Sequence, residues 1–195
     1  MAHKFNAKKA EILDSADRRK FLNPDSILQK AGLSRDTVFA DLGCGSGYFA
    51  IPASLIVKKV YAIDVQQEML DIVREKIRVV KLPNIEILLS NESSIPLPDN
   101  SVDVLFMANV FHELDDRVAI LREAKRILSG SGRMIIIDWK KMEMEMGPPI
   151  EERLSEDEVV SICEDGDFRI QERLHAGAYN YMLVFVRTEY ERRGR

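Results

Sequence analysis

Thr37-Val38-Phe39-Ala40-Asp41-Leu42-Gly43-Cys44-Gly45-Ser46-Gly47 decides how this chain folds. Thr37 to Ala40 reads as a buried strand that runs into Asp41 and then into glycines at alternate positions. Glycine lets a backbone turn sharply and approach a ligand with no Cβ in the way. In open α/β sheets, ligands sit at the C-terminal ends of strands where strand order reverses, and the first strand is the usual place for that reversal. The stretch therefore predicts a strand, a ligand-approaching loop and a helix.

The flanking segments alternate in the same way. The first thirty residues read as polar helix, and Asn23-Pro24 is a good helix start, with Asn as cap and Pro in the first turn. That helix should run from Pro24 to Ala31 and end at Gly32. After the glycine loop, Tyr48 to Val57 reads as helix, with Pro52 tolerable only in its first turn. Lys59 to Ile63 is a second strand ending at Asp64. Gln67 to Val80 carries Met69, Leu70, Ile72, Val73, Ile77 and Val80 at helical spacing. Ile85 to Leu89 and Val102 to Ala108 are strands, separated by a turn-rich loop with Pro96, Pro98, Asp99 and Asn100.

Asp115-Asp116 opens a helix to Leu128, with Lys125-Arg126 near its end where the helix dipole favours cations. Gly130-Ser131-Gly132 punctuates, and Arg133 to Trp139 is a fifth strand. Residues 140 to 154 read as an irregular loop. Ser155 and Glu158 have capping-box spacing for a helix ending near Glu164. Phe168 to Leu174 and Tyr181 to Val186 are the last strands, joined through Ala176-Gly177-Ala178.

Strand-helix alternation predicts an α/β, doubly wound, mostly parallel sheet with helices on both faces. The last two strands are joined too closely for a crossover, so one edge strand should run antiparallel. We expect one domain, with a helical cap over residues 1–32, a sheet core over 33–187 and a polar tail over 188–195.

Composition narrows the function. With 28 Lys+Arg against 32 Asp+Glu the net charge is −4. Phosphate binding needs concentrated positive surface, so no nucleic-acid partner is expected. The one basic cluster, Glu191-Arg192-Arg193-Gly194-Arg195, reads as a solvated chain end. Cys44 and Cys163 exclude a disulfide scaffold, and neither forms a CxxC pair, so no metal is expected. No apolar run approaches a membrane span, Met1 to Phe5 lack a signal-peptide core, and a cytoplasmic location is expected.

The glycines also discriminate among nucleotide ligands. A dinucleotide fingerprint is GxGxxG. Here the third glycine, Gly47, comes one place early and Tyr48 stands where it should be. There is no phosphate-cradling GxxxxGK loop. Asp41, just before the first glycine, suits a ligand with cationic groups better than one with phosphates. Asp64, at the end of the second strand, can accept hydrogen bonds from two adjacent ribose hydroxyls, each charge-assisted bond contributing about 1.5–3 kcal/mol.

With these residues in place, the sequence resembles the class I SAM-dependent methyltransferases (SAM, S-adenosyl-L-methionine), most closely the small-molecule group that includes the ubiquinone/menaquinone C-methyltransferases. Asp41 to Gly47 matches the first family motif, D-h-G-x-G-x-G, and Tyr61-Ala62-Ile63-Asp64 the second. Ile95 to Asp103 resembles LPFPDNSFD. Leu121 to Leu128 followed by Gly130 to Asp138 resembles LREAxRVLKPGGRLVIID. The resemblance runs from about residue 35 to 187.

It implies a seven-stranded Rossmann-like sheet with an antiparallel last strand and SAM as cofactor. It implies a cofactor site drawn from Asp41, Gly43, Cys44, Gly45, Gly47, Asp64, Val65, Asn91, Glu92 and Asn109. Gly43 and Gly45 would pass close to the methionine moiety, Asp64 would hold the ribose and Val65 would pack on the adenine. Relatives usually carry an Asp at the position of Asn91 to bind the adenine amino group. The Asn91 carbonyl can accept that bond without the charge.

The fourth strand leads into Asn109-Val110-Phe111-His112-Glu113, which places His112 at the mouth of the site. The NPP-plus-aromatic motif of many amino-nitrogen methyltransferases is absent here. His112 is the candidate general base or substrate-orienting group, since histidine titrates near neutral pH. Its alternative is a histidine that only supports the loop. Three further segments could shape the substrate pocket: residues 3–22, which the resemblance implies are a variable cap; Trp139 to Pro149, where Met142, Met144 and Met146 could give a lid adaptable apolar contacts; and the terminal hairpin with Tyr179 and Tyr181.

The expected activity is in-line methyl transfer to a small-molecule acceptor, at carbon, oxygen or nitrogen. Two alternatives stay open: a SAM- or SAH-binding protein without methyl transfer (SAH, S-adenosylhomocysteine), and an NAD-dependent oxidoreductase, the latter disfavoured by Tyr48.

Overall fold

The computed structural model describes residues 10–188. Met1 to Phe5 and the basic cluster Glu191–Arg195 lie outside the described residues, as do parts of the expected cap and tail. In chain order the elements are α1 (Ala10–Leu13), α2 (Ala16–Phe21), α3 (Pro24–Lys30), β1 (Val38–Leu42), α4 (Ala50–Ser54), β2 (Lys59–Asp64), α5 (Gln67–Val80), β3 (Ile85–Leu89), β4 (Val102–Ala108), α6 (Arg117–Ile127), β5 (Leu128–Trp139), α7 (Glu156–Asp165), β6 (Phe168–His175) and β7 (Asn180–Arg187). Among them no helix is long and apolar enough to cross a membrane.

Local chemistry explains most boundaries. Asn23 caps α3 by accepting from the Ser26 N–H at 3.0 Å, with Pro24 in the first turn. The capping box at α7 is complete: Ser155 Oγ accepts from the Glu158 N–H, and Glu158 accepts in return from the Ser155 N–H at 2.7 Å. Asp116 caps α6. Helix α4 is shorter than the sequence suggests, because residues 44–49 are spent on the turns of the glycine loop. Pro52 does fall within its first turn.

The seven strands lie in the order β3-β2-β1-β4-β5-β7-β6. The first five are mutually parallel, and β7 runs antiparallel to both β5 and β6. Two expectations need correction. The antiparallel strand is not at the edge: α7 carries the chain outward to β6, and β7 returns into the gap between β6 and β5. Nor does β5 begin at Arg133. It begins at Leu128, because Val102 pairs with Leu128 and Val104 with Arg133, so Gly130-Ser131-Gly132 form a bulge within the strand.

Side chains on β1 alternate between two cores. Phe39 joins one with Ile27, Leu28, Ala50, Ala53, Leu70 and Val73, so α3, α4 and α5 cover that face. Ala40 and Leu42 join the other with Ile120, Leu121, Ala124, Val159 and Cys163, so α6 and α7 cover the opposite face. Phe39, Phe106 and Phe49 pack in series, with centroids 5.3 and 4.9 Å apart. Each such aromatic pair contributes about 0.5–1.5 kcal/mol beyond its buried area. Strand order reverses between β1 and β4, which opens a crevice above their C-terminal ends.

Candidate active site

That crevice is a cavity of about 770 Å³. Asp41 pairs with Ala62 and with Phe106, and Ala108 with Ile137, so the register brings the C-terminal ends of β1, β2, β4 and β5 to one level. Of the expected cofactor residues, Asp41, Gly43, Cys44, Gly45, Asp64, Val65, Asn91, Glu92 and Asn109 all line the cavity. Gly47 lies behind it, against Ile51 and Val73.

The glycine loop is held from below. The Gly43 and Cys44 N–H groups donate to the Ile63 carbonyl at 2.8 and 3.0 Å. Gly43 has φ +72, and a Cβ there would fall 2.4 Å from Val110 Cγ2, so no other residue fits. Asp64 does part of this work. Its Oδ2 accepts from the Gly45 N–H at 2.9 Å and its Oδ1 from the Gln66 N–H at 2.9 Å. The carboxylate thus ties the loop to the end of β2, while its remaining lone pairs stay at the cavity wall. Burial raises the Asp64 pKa against those amides.

Asp41 is different. It is 2% exposed, and its Oδ2 is buried without a hydrogen-bond partner. Burial, with a smaller push from Asp64, raises its pKa to about 7, opposed by the Ala50 N–H and Arg18. Cys44 is buried beside it, and burial with both carboxylates pushes the thiol up, so it packs as an unreactive wall residue.

The expected adenine contact is already engaged: Asn91 Oδ1 accepts from the Ser93 N–H at 3.0 Å in a local turn. Asn109 sits at φ +59, a conformation asparagine tolerates, and its Oδ1 accepts from Asn180 Nδ2 at 2.8 Å.

At the other end of the cavity, His112 lies in a short 3-10 turn, Phe111–Glu113. Arg117 fixes that turn by donating to the Phe111 and His112 carbonyls at 3.0 and 2.8 Å. His112 Nδ1 is 2.7 Å from Asp138 Oδ1, and its Nε2 is 3.8 Å from Glu113 Oε1. Burial pulls the imidazole pKa down, but Asp138, Glu113 and Glu152 together outweigh it, and His112 titrates above its usual value. Trp139 lines the cavity with Met146, Gly147 and Pro148. Tyr179 does not. It packs edge-on against Phe21 at 5.5 Å, and Phe21 takes the lining place.

Residues 40–136 match the methyltransferase-domain family. A crystal structure of a SAM-dependent methyltransferase from Aquifex aeolicus is 40% identical, with a TM-score of 0.89 over 93% of this chain and 98% of that one. The chain belongs to the SAM-dependent methyltransferase family. The ubiquinone/menaquinone biosynthesis C-methyltransferase UbiE of Escherichia coli is 29% identical over 115 residues, 57% of this chain and 46% of that protein. This methyltransferase spans about half the length of the curated relatives it matches.

SAM is the cofactor of this family, and the walls of the cavity suit it. An orphaned carboxylate oxygen on Asp41 and the half-buried guanidinium of Arg18 stand in the same wall. Burial lowers the Arg18 pKa, while Asp14 and Asp41 raise it. One carboxylate and one guanidinium complement a ligand that carries both an ammonium and a carboxylate.

Sequence reasoning offered residues 3–22 as a pocket-shaping segment of this methyltransferase without singling out Leu13, Arg18 or Phe21 within it, and it did not single out Asp138. The first three come from a segment far from the motifs in sequence. Asp138 did leave a signal: an acid at the C-terminal end of the strand beside β4.

Proposed function

We propose that this methyltransferase transfers a methyl group from SAM to a small-molecule acceptor by in-line displacement, with His112 as general base. The observation that carries the reading is one cavity with the glycine loop at one end and an Asp138-held imidazole at the other. When bound, SAM supplies an activated methyl group. The protein's own work is then to bind, orient and remove a proton.

Asp41 and Arg18 would hold the amino-acid end of the cofactor, Gly43 and Gly45 would let it lie close to the backbone, and Asp64 would take the ribose. Val65 would pack on the adenine, with Asn91 and Glu92 at its edge. Placing reacting atoms about 3–3.5 Å apart can supply roughly 7–11 kcal/mol.

Asp138 accepts the Nδ1 proton of His112, which leaves the Nε2 lone pair to take a proton from the acceptor. Glu113, near Nε2, would stabilise the resulting imidazolium. Phe21, Trp139 and Met146 would give an apolar seat to the acceptor's body. Enclosure by these side chains and the net charge of −4 both favour a small molecule over nucleic acid.

Calorimetry with SAM, SAH and NAD tests the cofactor, and turnover of an acceptor panel by the His112→Ala variant tests the base. SAM and SAH should bind and NAD should not. Binding of NAD alone would sink the reading, and unchanged turnover by the variant would remove His112 as base. SAM binding without turnover on any acceptor would favour a binding module.

A further inference from the structure

The wall of the cavity beside Trp139 is made by a segment with almost no bonds of its own. Residues 143–148 form no main-chain to main-chain hydrogen bond among the described residues. The chain is held before them, where Lys140 donates from its main-chain N–H to the Tyr179 carbonyl at 2.8 Å and from Nζ to the Ala178 carbonyl at 2.9 Å. It is held after them by the 3-10 turn Ile150–Glu152. Between these anchors Met146, Gly147 and Pro148 face the cavity.

Arg153 fills the gap. Its side chain donates from Nε to the Pro148 carbonyl at 2.8 Å, from one terminal nitrogen to Met142 at 2.6 Å and from the other to Met146 at 3.0 Å. Arg153 is 4% exposed, and among the described residues no carboxylate lies within ion-pair distance of it. A buried guanidinium is costly unless its donors are satisfied, and here three carbonyls of one loop satisfy them. Among the described residues no other donor reaches those three carbonyls. Each therefore constrains the other.

The consequence reaches the cavity through Gly147. It has φ +86, and a Cβ on it would fall 3.0 Å from Trp139 Cδ2 and 3.1 Å from Cε3. The loop backbone thus lies on the indole face, and Phe21 packs near the same ring, with centroids 6.1 Å apart.

We propose that Arg153 is the positioning residue of the acceptor pocket: by fastening Met142, Met146 and Pro148 it presses Gly147 onto Trp139 and sets the width of the pocket. The proposal rests on the reading of this end of the cavity as the acceptor side. Arg153 touches no reacting atom and acts through the loop. Lysine keeps the charge but offers one nitrogen on a flexible stem where arginine offers a three-way fork.

Trp139 is the protein's only tryptophan, so its fluorescence reports this wall directly. The experiment compares the full chain with Arg153→Met and Arg153→Lys by emission spectrum, acrylamide quenching and SAH calorimetry. Arg153→Met should shift Trp139 emission to the red and raise quenching several-fold, Arg153→Lys should lie between it and the parent, and all three proteins should bind SAH with similar affinity. A Trp139 signal unchanged in Arg153→Met with SAH binding retained overturns the proposal. Loss of SAH binding in both variants also overturns it, since Arg153 would then support the whole domain. Failure of the parent protein to bind SAH would count against the cofactor reading, while the Trp139 response would still decide the role of Arg153.

Discussion

Asp138 holds His112 at two points: Nδ1 of the ring lies 2.7 Å from Oδ1, and the main-chain N–H of His112 donates to Oδ2 at 3.1 Å. The same carboxylate accepts from the Trp139 N–H at 2.8 Å. Ring, backbone turn and the start of the Trp139 side of the cavity are thus set by one side chain on β5.

A prediction about pH follows from this pair. A general base works deprotonated, so activity should rise with pH through the His112 pKa. Asp138, Glu113 and Glu152 favour the charged imidazole, so that limb should lie above the ordinary histidine value of 6.5. Asp138→Asn removes the main charge that favours protonation and should move the limb to lower pH. NMR titration of the His112 ring checks both statements without an acceptor, and a parent value at or below 6.5 would contradict them. His112→Ala should lower turnover by about 10²–10⁴-fold.

Asp41 leads to a proton count. In the free protein burial holds its pKa at about 7 against an ordinary 3.8. A cationic ligand beside it should pull the value down, so SAM binding near pH 7 should release protons. Calorimetry in two buffers of different ionisation enthalpy measures this, and Asp41→Asn should abolish the release and weaken binding by about 1.5–3 kcal/mol. The same shift has a stability consequence. An acid whose folded pKa is raised binds its proton more tightly in the fold, so on Asp41's account the free protein should lose stability as pH rises from 3.8 to about 7.

The segment that covers the glycine loop is fastened through Lys76. Its Nζ donates to Asp14 Oδ2 at 2.6 Å and to the Ser46 carbonyl at 2.8 Å, while Ser46 Oγ donates to Asp14 Oδ1 at 2.9 Å. Half-exposed ion pairs contribute only about 0–1 kcal/mol, so Lys76→Ala should barely move the melting temperature. It should instead free α1 and α2 and speed SAH dissociation, which stopped-flow fluorescence of Trp139 can follow. An unchanged off-rate would show that this fastening does not control the ligand.

Gly43 is the least replaceable loop position. Alanine would have to occupy φ +72 and displace Val110, whose Cγ2 lies 2.4 Å from the new Cβ. The backbone conformation alone costs about 1–2 kcal/mol. Gly43→Ala should therefore lower the denaturant midpoint and remove SAM binding together, in paired denaturation and calorimetry measurements.

By itself the sequence determined the alternating α/β architecture, the position of the glycine loop, and the Asp64 and His112 positions. These are local properties: period in apolar residues, caps such as Asn23 and Ser155, and glycines directly after a strand. Which distant residues share the cavity was set by packing across the whole fold. β7 lies inside the sheet because α7 spans outward before the chain returns, an order that no local pattern encodes. Asp138 reaches His112 because β4 and β5 are neighbours in register, Ala108 opposite Ile137. Phe21, and not Tyr179, lines the cavity because α2 folds back over the sheet ends. Arg153 acquires its role only where three carbonyls converge on one buried guanidinium. Motifs record the chemistry a backbone turn can support alone, whereas convergence of side chains is set by packing, which is non-local.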